Sequence, residues 1–534
     1  MPQKLQLFST HIPFIIPKKS ELTVHEKNNW QHKDYIEDTI PGVSTQKAYS
    51  LLKGKQATTV VIAILDTEVD IFHPELKDQL WINRDEIADN GIDDDANGYI
   101  DDVHGWNFLG NALDENTLYT SYEYTRILKR YATQFENKTI NEIPDQDHAA
   151  FRTYQKAKKV YNTELQKVTE NTGQYKAMYT LFKNAQNIIS KYINDDKITI
   201  ERLDSLKIAQ PDLEEQIVLI SNAIRYDVKE QDMLDQLDFL SASTATYLNL
   251  EFDDRKITGD NPEDIKDISY GNPNISKNVK SLYHGTLVAG VLSAKIDNKG
   301  VEGFSNAFKL MPLAISSNGD EHDKDIALAI RYAVDNGAKI INMSSGKNFS
   351  MHSNWVNDAI AYANNHEVLI VTSAGNDNKN IDLKENYYYP NDHQLPDTNN
   401  FIKVGAISQQ VDSIHFKFAN SSYGTINVDL FAPGEDIYTT SSSSQKYEVV
   451  SGTSFATPIV SGVAGLLLSY FPDLTVAQVK EILLSSGTSY AIEVSIASDT
   501  TETSKRIPFA ELSKSGRVLN AYNAVRMAQQ IVER

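Results

Sequence analysis

Five short apolar runs stand out along the chain, at residues 60–65, 310–315, 339–343, 367–372 and 401–404. They are continuous rather than alternating, as strands buried on both faces are. Between the last four lie stretches with helical spacing, among them 325–336 and 353–365. Strand and helix in alternation predict an α/β fold of three layers, with a mostly parallel sheet covered on both faces. Residues 454–470 are apolar nearly all round, which predicts a helix inside the core.

From about residue 112 to 255 the pattern changes. Strand runs vanish, and charged stretches with helical stripes replace them. Phe151, Tyr154, Tyr161, Leu165 and Val168 fall near one helical face, as do Tyr175, Met178, Phe182, Ile189 and Tyr192. Turn signals at Asn171-Thr172-Gly173 and Gln210-Pro211 predict breaks between helices. This is read as a helical insertion of several antiparallel helices that interrupts the α/β domain. The expected organisation is an N-terminal extension over 1–29, a first catalytic part over 30–111, the insertion over 112–255, and a second part over 256–534 with a C-terminal helical segment.

Composition narrows the field. The 534 residues carry a formal charge of −21, which argues against a general basic field for nucleic acid and fits a soluble surface. There is no cysteine, so disulfides, thiolate metal sites and a cysteine nucleophile are excluded together. No apolar run approaches the roughly 18 residues that would span a bilayer, so no membrane span is expected. The start, MPQKLQLFSTHIPFIIPKKS, is a poor signal peptide, with apolar residues interrupted by Ser9, His11 and Pro13 and no small-residue cleavage site. As written, the chain does not read as exported.

Three motifs carry the chemistry. The run of residues 60–65 ends in Asp66, and a carboxylate at the carboxyl end of a buried strand lies where open α/β sheets place their sites. His284-Gly-Thr-Leu-Val-Ala-Gly290 places an imidazole at a helix start, with Gly285 and Gly290 allowing close backbone packing. In Ser451-Gly-Thr-Ser454-Phe-Ala-Thr-Pro458 a serine opens the apolar helix, near first-turn amides that favour developing negative charge. Each alone also suits a capping or structural role. Together they suit acyl transfer: a serine hydroxyl needs a base, histidine is one near neutrality, and a carboxylate fixes its tautomer.

With these motifs the sequence resembles a subtilisin-family (subtilase) peptidase, whose chain order is likewise Asp, His, Ser. Further matches are Ile341-Asn-Met-Ser-Ser-Gly346, Val371-Thr-Ser-Ala-Gly-Asn376 and Val428-Asp-Leu-Phe-Ala-Pro-Gly434. The resemblance covers roughly 30–110 and 256–490. It implies a subtilisin-like fold and serine endopeptidase activity with Asp66, His284 and Ser454 as triad. It also implies Asn376 as the oxyanion-hole side chain, and Ser344, Ser345 and Gly346 as the segment that pairs with substrate backbone. The implied partners are protein or peptide substrates. No cofactor is implied for the chemistry, and the family resemblance also allows for secretion. The 218-residue spacing from Asp66 to His284 resembles that of a bacterial subgroup with an insert at that point. An aromatic-proline turn resembling the family's makes Tyr389-Pro390 a candidate cis bond.

The departures are specific. Glu68 stands where the family usually has glycine, which bears on the local turn, because glycine permits backbone angles that glutamate disfavours. Ile459 replaces a common histidine after the helix proline, and Leu287 stands where many members have histidine. The stretch before the first core strand is short for a family-style inhibitory propeptide.

The acidic run Asp93-Asp-Asp95-Ala-Asn97-Gly98-Tyr-Ile-Asp101-Asp102 resembles the first half of a calcium loop, with oxygen side chains at alternate positions followed by glycine. Its closing glutamate is replaced by His104, leaving Asp101 or Asp102 to substitute. Calcium as a structural ion on Asp93, Asp95, Asn97 and Asp101 is one reading; a solvated acidic turn is the other.

Two alternatives to a general endopeptidase stand beside it: a catalytically silent peptide-binding scaffold, and a narrow processing protease whose insertion recognises one partner. Connectivity places both ends of the insertion between the Asp66 and His284 motifs, so a lobe beside that edge of the cleft, hindering bulky substrates, is expected. Replacing it with a short flexible linker should then preserve cleavage of small peptides and raise cleavage of folded proteins. Equal changes in both rates, in a folded variant, reject the gating idea.

Overall fold

The computed structural model describes residues 8–16, 18, 20–194, 197–395, 398–496 and 505–533. They form two compact units, Met1–Leu118 with Arg255–Arg534, and Tyr119–Asp254.

In the first unit seven strands form one sheet in the order Trp106–Asn107, Phe308–Ala314, Val60–Asp66, Ile340–Met343, Leu369–Ser373, Phe401–Ile407 and Leu430–Pro433. Every pairing is parallel. Side chains alternate across a strand, and this produces the layers. Along Val60–Asp66, Ile62 and Ile64 join one apolar cluster while Ala63 and Leu65 join another. The first cluster takes in helices Tyr283–Ser293, Thr453–Tyr470 and Val476–Ser486; the second takes in Asp323–Asp335 and Ser353–Asn365. The expected three-layer α/β architecture is present.

The strand expected from 367 begins at Leu369. Glu367 has φ 55°, and the amide of Val368 returns to the carbonyl of Ala363, so these residues close the preceding helix. The Tyr389-Pro390 bond is cis. The core helix Thr453–Tyr470 is long and apolar enough to cross a membrane by length and composition alone. It is 89% buried within the fold, which accounts for its apolarity. Thr10–Ile12 pairs in parallel with Thr488–Tyr490.

The second unit has no strand among its described residues. Its α-helices are Glu123–Phe135, His148–Ile189, Ile200–Ala209, Glu214–Arg225 and Glu230–Ala242 among the described residues. The Gln210-Pro211 break is there, but the break expected at Asn171-Thr172-Gly173 is not: the helix His148–Ile189 runs through it. Glycine inside a helix costs about 1 kcal/mol. Burial of Phe151, Tyr154 and Ala157 toward one end, and of Phe182, Ala185 and Ile189 toward the other, outweighs that. Tyr161, Leu165 and Val168 are half-buried between them, while Met178 and Tyr192 are exposed.

Candidate active site

Asp66 is the last residue of its strand and only 1% exposed. A carboxylate so buried needs donors. Its Oδ1 receives the amide of Thr67 at 2.8 Å and sits 2.7 Å from Nδ1 of His284. The imidazole lies on the second residue of the helix Tyr283–Ser293, and its side chain is 31% exposed. The helix end can come this close because residue 285 is glycine. A Cβ there would stand 2.6 Å from the carbonyl oxygen of Thr67. Instead the Gly285 amide donates to the Thr67 hydroxyl at 2.9 Å. Gly290 similarly faces the side chains of Thr439 and Thr440.

Burial pulls the His284 pKa down, but the charge of Asp66, its hydrogen bond and the charge of Glu321 outweigh that. The net displacement is upward from 6.5.

Ser454 is the second residue of Thr453–Tyr470, half-buried, with the neighbouring Phe455 ring 5.8 Å from the imidazole. Its amide, in the first helical turn, has no helical acceptor. Among the described residues no hydrogen bond joins Ser454 Oγ to His284. Catalytic hydrogen bonds often close only around substrate. The Ser454 carbonyl receives the hydroxyl of Ser344 at 2.8 Å, tying the serine helix to the segment past Ile340–Met343. Ser344 is buried and Ser345 partly so, while Gly346 packs against Tyr388 and Tyr389.

Asn376 follows the strand Leu369–Ser373 and is exposed. Its Oδ1 accepts both the amide (2.9 Å) and the hydroxyl (3.1 Å) of Thr453. This fixes the side chain with Nδ2 as its remaining donor. Thr453 was not singled out from the sequence, although it sits inside the serine motif. Thr67, beside Asp66, was likewise missed.

In the acidic turn the amide of Asn97 donates to both Asp93 and Asp95 at 3.0 Å. Asp93 accepts the amides of Asn97 and Gly98, and Asp101 accepts those of Asn90 and Gly91. Asn97 Nδ2 donates to Asp95 and Asp102. The carboxylates that do approach are Glu86, Asp95 and Asp102, with oxygens within 4.8 Å of one another. Asp102 is fully buried and also receives Asn83 and the Tyr332 hydroxyl. Burial pushes its pKa up to about 6. Of the predicted calcium set Asp95 belongs to this trio.

The sequence pattern of the subtilase family (peptidase S8) matches residues 57–507. The thermophilic serine proteinase of Bacillus sp. (strain AK1) is 37% identical over 188 residues, which is 35% of this chain and 42% of that protein. Thermitase of Thermoactinomyces vulgaris is 35% identical over 188 residues, 35% of this chain and 61% of that one. The chain thus spans less than two thirds of the length of either. A solved structure of a Pseudoalteromonas arctica protease aligns with a TM-score of 0.46 and 17% identity, covering 94% of this chain and 98% of that one. With the family's pattern running from residue 57 to 507, through all three motifs that carry Asp66, His284 and Ser454, the chain belongs to the subtilase family.

Proposed function

We propose that this protein is a serine endopeptidase that hydrolyses peptide bonds through an acyl-enzyme. The observation that carries the reading is the 2.7 Å contact between buried Asp66 and His284 Nδ1 at the carboxyl edge of the sheet. With Nδ1–H committed to the carboxylate, Nε2 is the ring's basic end.

In this reading Ser454 Oγ attacks the scissile carbonyl carbon while His284 Nε2 takes its proton. The carbonyl oxygen becomes an oxyanion that accepts hydrogen bonds from Asn376 Nδ2 and the Ser454 amide. Collapse breaks the C–N bond, and His284 returns the proton to the departing amine. Water, deprotonated by the same imidazole, then releases the acid and regenerates Ser454. Asp66 keeps the tautomer fixed and offsets the charge of the imidazolium. Residues 344–346 would pair with substrate main chain, which gives affinity with little demand on side-chain identity. A silent scaffold is the weaker reading, since peptide binding has no need of a buried carboxylate fixed on an imidazole. A fluorophosphonate separates the two: an enzyme is labelled at Ser454, a scaffold is not.

Ser454→Ala should abolish turnover while leaving fold and peptide binding intact; loss of the nucleophile costs about 10⁶ in rate in subtilisin itself. Unchanged hydrolysis by the purified variant would sink the assignment. Asn376→Ala should reduce kcat by about 10² to 10³ with KM little changed, because its bond to the oxyanion strengthens in the transition state. A change confined to KM rejects the role. The neutral imidazole is the base, so kcat/KM should rise with pH as His284 loses its proton. With the folded pKa displaced upward, the midpoint of that limb should lie above the ordinary 6.5. A pH–rate profile with its midpoint at or below that value contradicts the coupling to Asp66 and Glu321.

A further inference from the structure

Glu68 is the residue that replaces the family's usual glycine. It is not among the described residues with positive φ, so the turn after Asp66 runs without a glycine conformation. The side chain is 2% exposed. Four hydrogen bonds meet its carboxylate, and all four come from donors. Oε1 receives Asn107 Nδ2 at 3.3 Å and Asn116 Nδ2 at 3.0 Å. Oε2 receives the backbone amides of Lys277 at 2.7 Å and Asn278 at 2.8 Å.

None of these donors can turn into an acceptor. Two are backbone amides. Asn107 spends its Oδ1 on the amide of Leu109 at 2.9 Å, which leaves Nδ2 facing Glu68. Asn116 spends its Oδ1 on Asn272 Nδ2 at 2.8 Å, and Asn272 in turn spends its own Oδ1 on the amide of Asn274 at 3.0 Å. The amide orientations form a closed chain that ends on an acceptor-only group. An ionised carboxylate satisfies this site; a glutamine has a single acceptor oxygen and would point its NH₂ at two donors. Burial pushes the Glu68 pKa up, and the four donors act against it.

The bonds lie between the two halves of the candidate acid–base pair. Glu68 is two residues past Asp66. The carbonyl of Asn278, whose amide it holds, accepts the amides of Ser281 (2.7 Å) and Leu282 (3.1 Å), and the helix bearing His284 begins at the next residue. Parallel ties run alongside: Val69 amide to Ile275 carbonyl at 3.0 Å, and Asp70 amide to the Thr286 hydroxyl at 2.8 Å. Among these ties the Glu68 carboxylate is the charged one and takes the most donors. Charge-assisted hydrogen bonds are about twice as strong as neutral ones.

We propose that Glu68 is a positioning residue: its buried carboxylate clamps the 277–278 backbone to the turn after Asp66 and thereby sets the register of His284 against Asp66. The mechanistic consequence rests on the peptidase reading above; the geometric one does not. Displacing a catalytic base by a fraction of an ångström costs rate without altering distant substrate contacts.

The test compares Glu68→Gln, Glu68→Gly and the double variant Glu68→Gln with Asn116→Asp in the full chain, well below each protein's unfolding temperature. Two readouts are taken: kcat and KM on a small peptide, and the low-field ¹H resonance of the His284 Nδ1–H held by Asp66. Glu68→Gln is expected to lower kcat about tenfold with KM little changed, and to shift or broaden the resonance. In the double variant the introduced glutamine can donate to the new carboxylate while its oxygen keeps the 277 and 278 amides. Asn116→Asp gives up the long 3.4 Å bond to the carbonyl of Asn274, but Asn107 Nδ2 retains that carbonyl at 2.9 Å. Both readouts should therefore return toward wild type. Glu68→Gly removes the acceptor without adding a mismatched donor and carries the test should Glu68→Gln not fold; its kcat should also fall, with KM little changed. Wild-type kcat and an unmoved resonance in a folded single variant overturn the proposal, as does a double variant no better than Glu68→Gln. If the wild-type protein hydrolyses no peptide, the peptidase reading fails, and the resonance still decides whether Glu68 positions His284.

Discussion

A carboxylate taken out of water must be matched by donors, and the candidate site is organised around that requirement at Asp66. The donors are the Thr67 amide and the imidazole of His284, both on Oδ1, while Oδ2 is buried with no donor among the described residues. The first comes from the turn the carboxylate itself opens; the second comes from 218 residues further along the chain. Everything that brings the second to the first has to be rigid to within a fraction of an ångström. The sheet supplies one side of that rigidity. Val60–Asp66 is paired along all seven residues with Phe308–Ala314, and Ile62, Ala63 and Ile64 also pair with Ile340, Ile341 and Asn342. The other side is supplied by the turn of residues 66–71 and its ties to residues 275–286.

The serine is held by different means. Its helix is nearly all buried and packs in the cluster that takes one face of the sheet. Three further bonds adjust its first turn: the Thr453 amide and hydroxyl engage Asn376, and the Ser454 carbonyl engages Ser344. The candidate nucleophile and candidate oxyanion donors therefore belong to one rigid group, and the acid–base pair to another. Both groups share the sheet, so the distance between Ser454 and His284 follows from packing across the core.

The fold was legible because its strands are buried on both faces and read as continuous apolar runs, and because the motifs at Asp66, His284 and Ser454 are short and local. The features that were not legible share a cause. At Asn171-Thr172-Gly173 local propensity indicated a break, but burial of Phe151, Tyr154 and Ala157 on one side of it, and of Phe182 and Ile189 on the other, keeps the helix continuous. At the acidic loop, backbone amides four to eleven residues away hold Asp93 and Asp101, pairings that the spacing of the acidic residues does not reveal. Glu68 could be recognised as a departure but not as an anchor. Its meaning lies in donors at 107, 116, 277 and 278, which no local window contains.

The parallel pairing of Thr10–Ile12 with Thr488–Tyr490 joins segments across some of the longest sequence separations in the chain. His11 meets Ser489 across 478 residues. During synthesis Thr10–Ile12 has no edge to join until the chain 478 residues further along has followed. Asp66, His284 and Ser454 are all made before that edge exists. Contacts of such range are slow to form, because the loop they close must first be restrained. A nascent chain thus passes through a stage that contains every reactive side chain but not this pairing, a stage in which a chaperone or a protease would find an unpaired strand well ahead of the folded core.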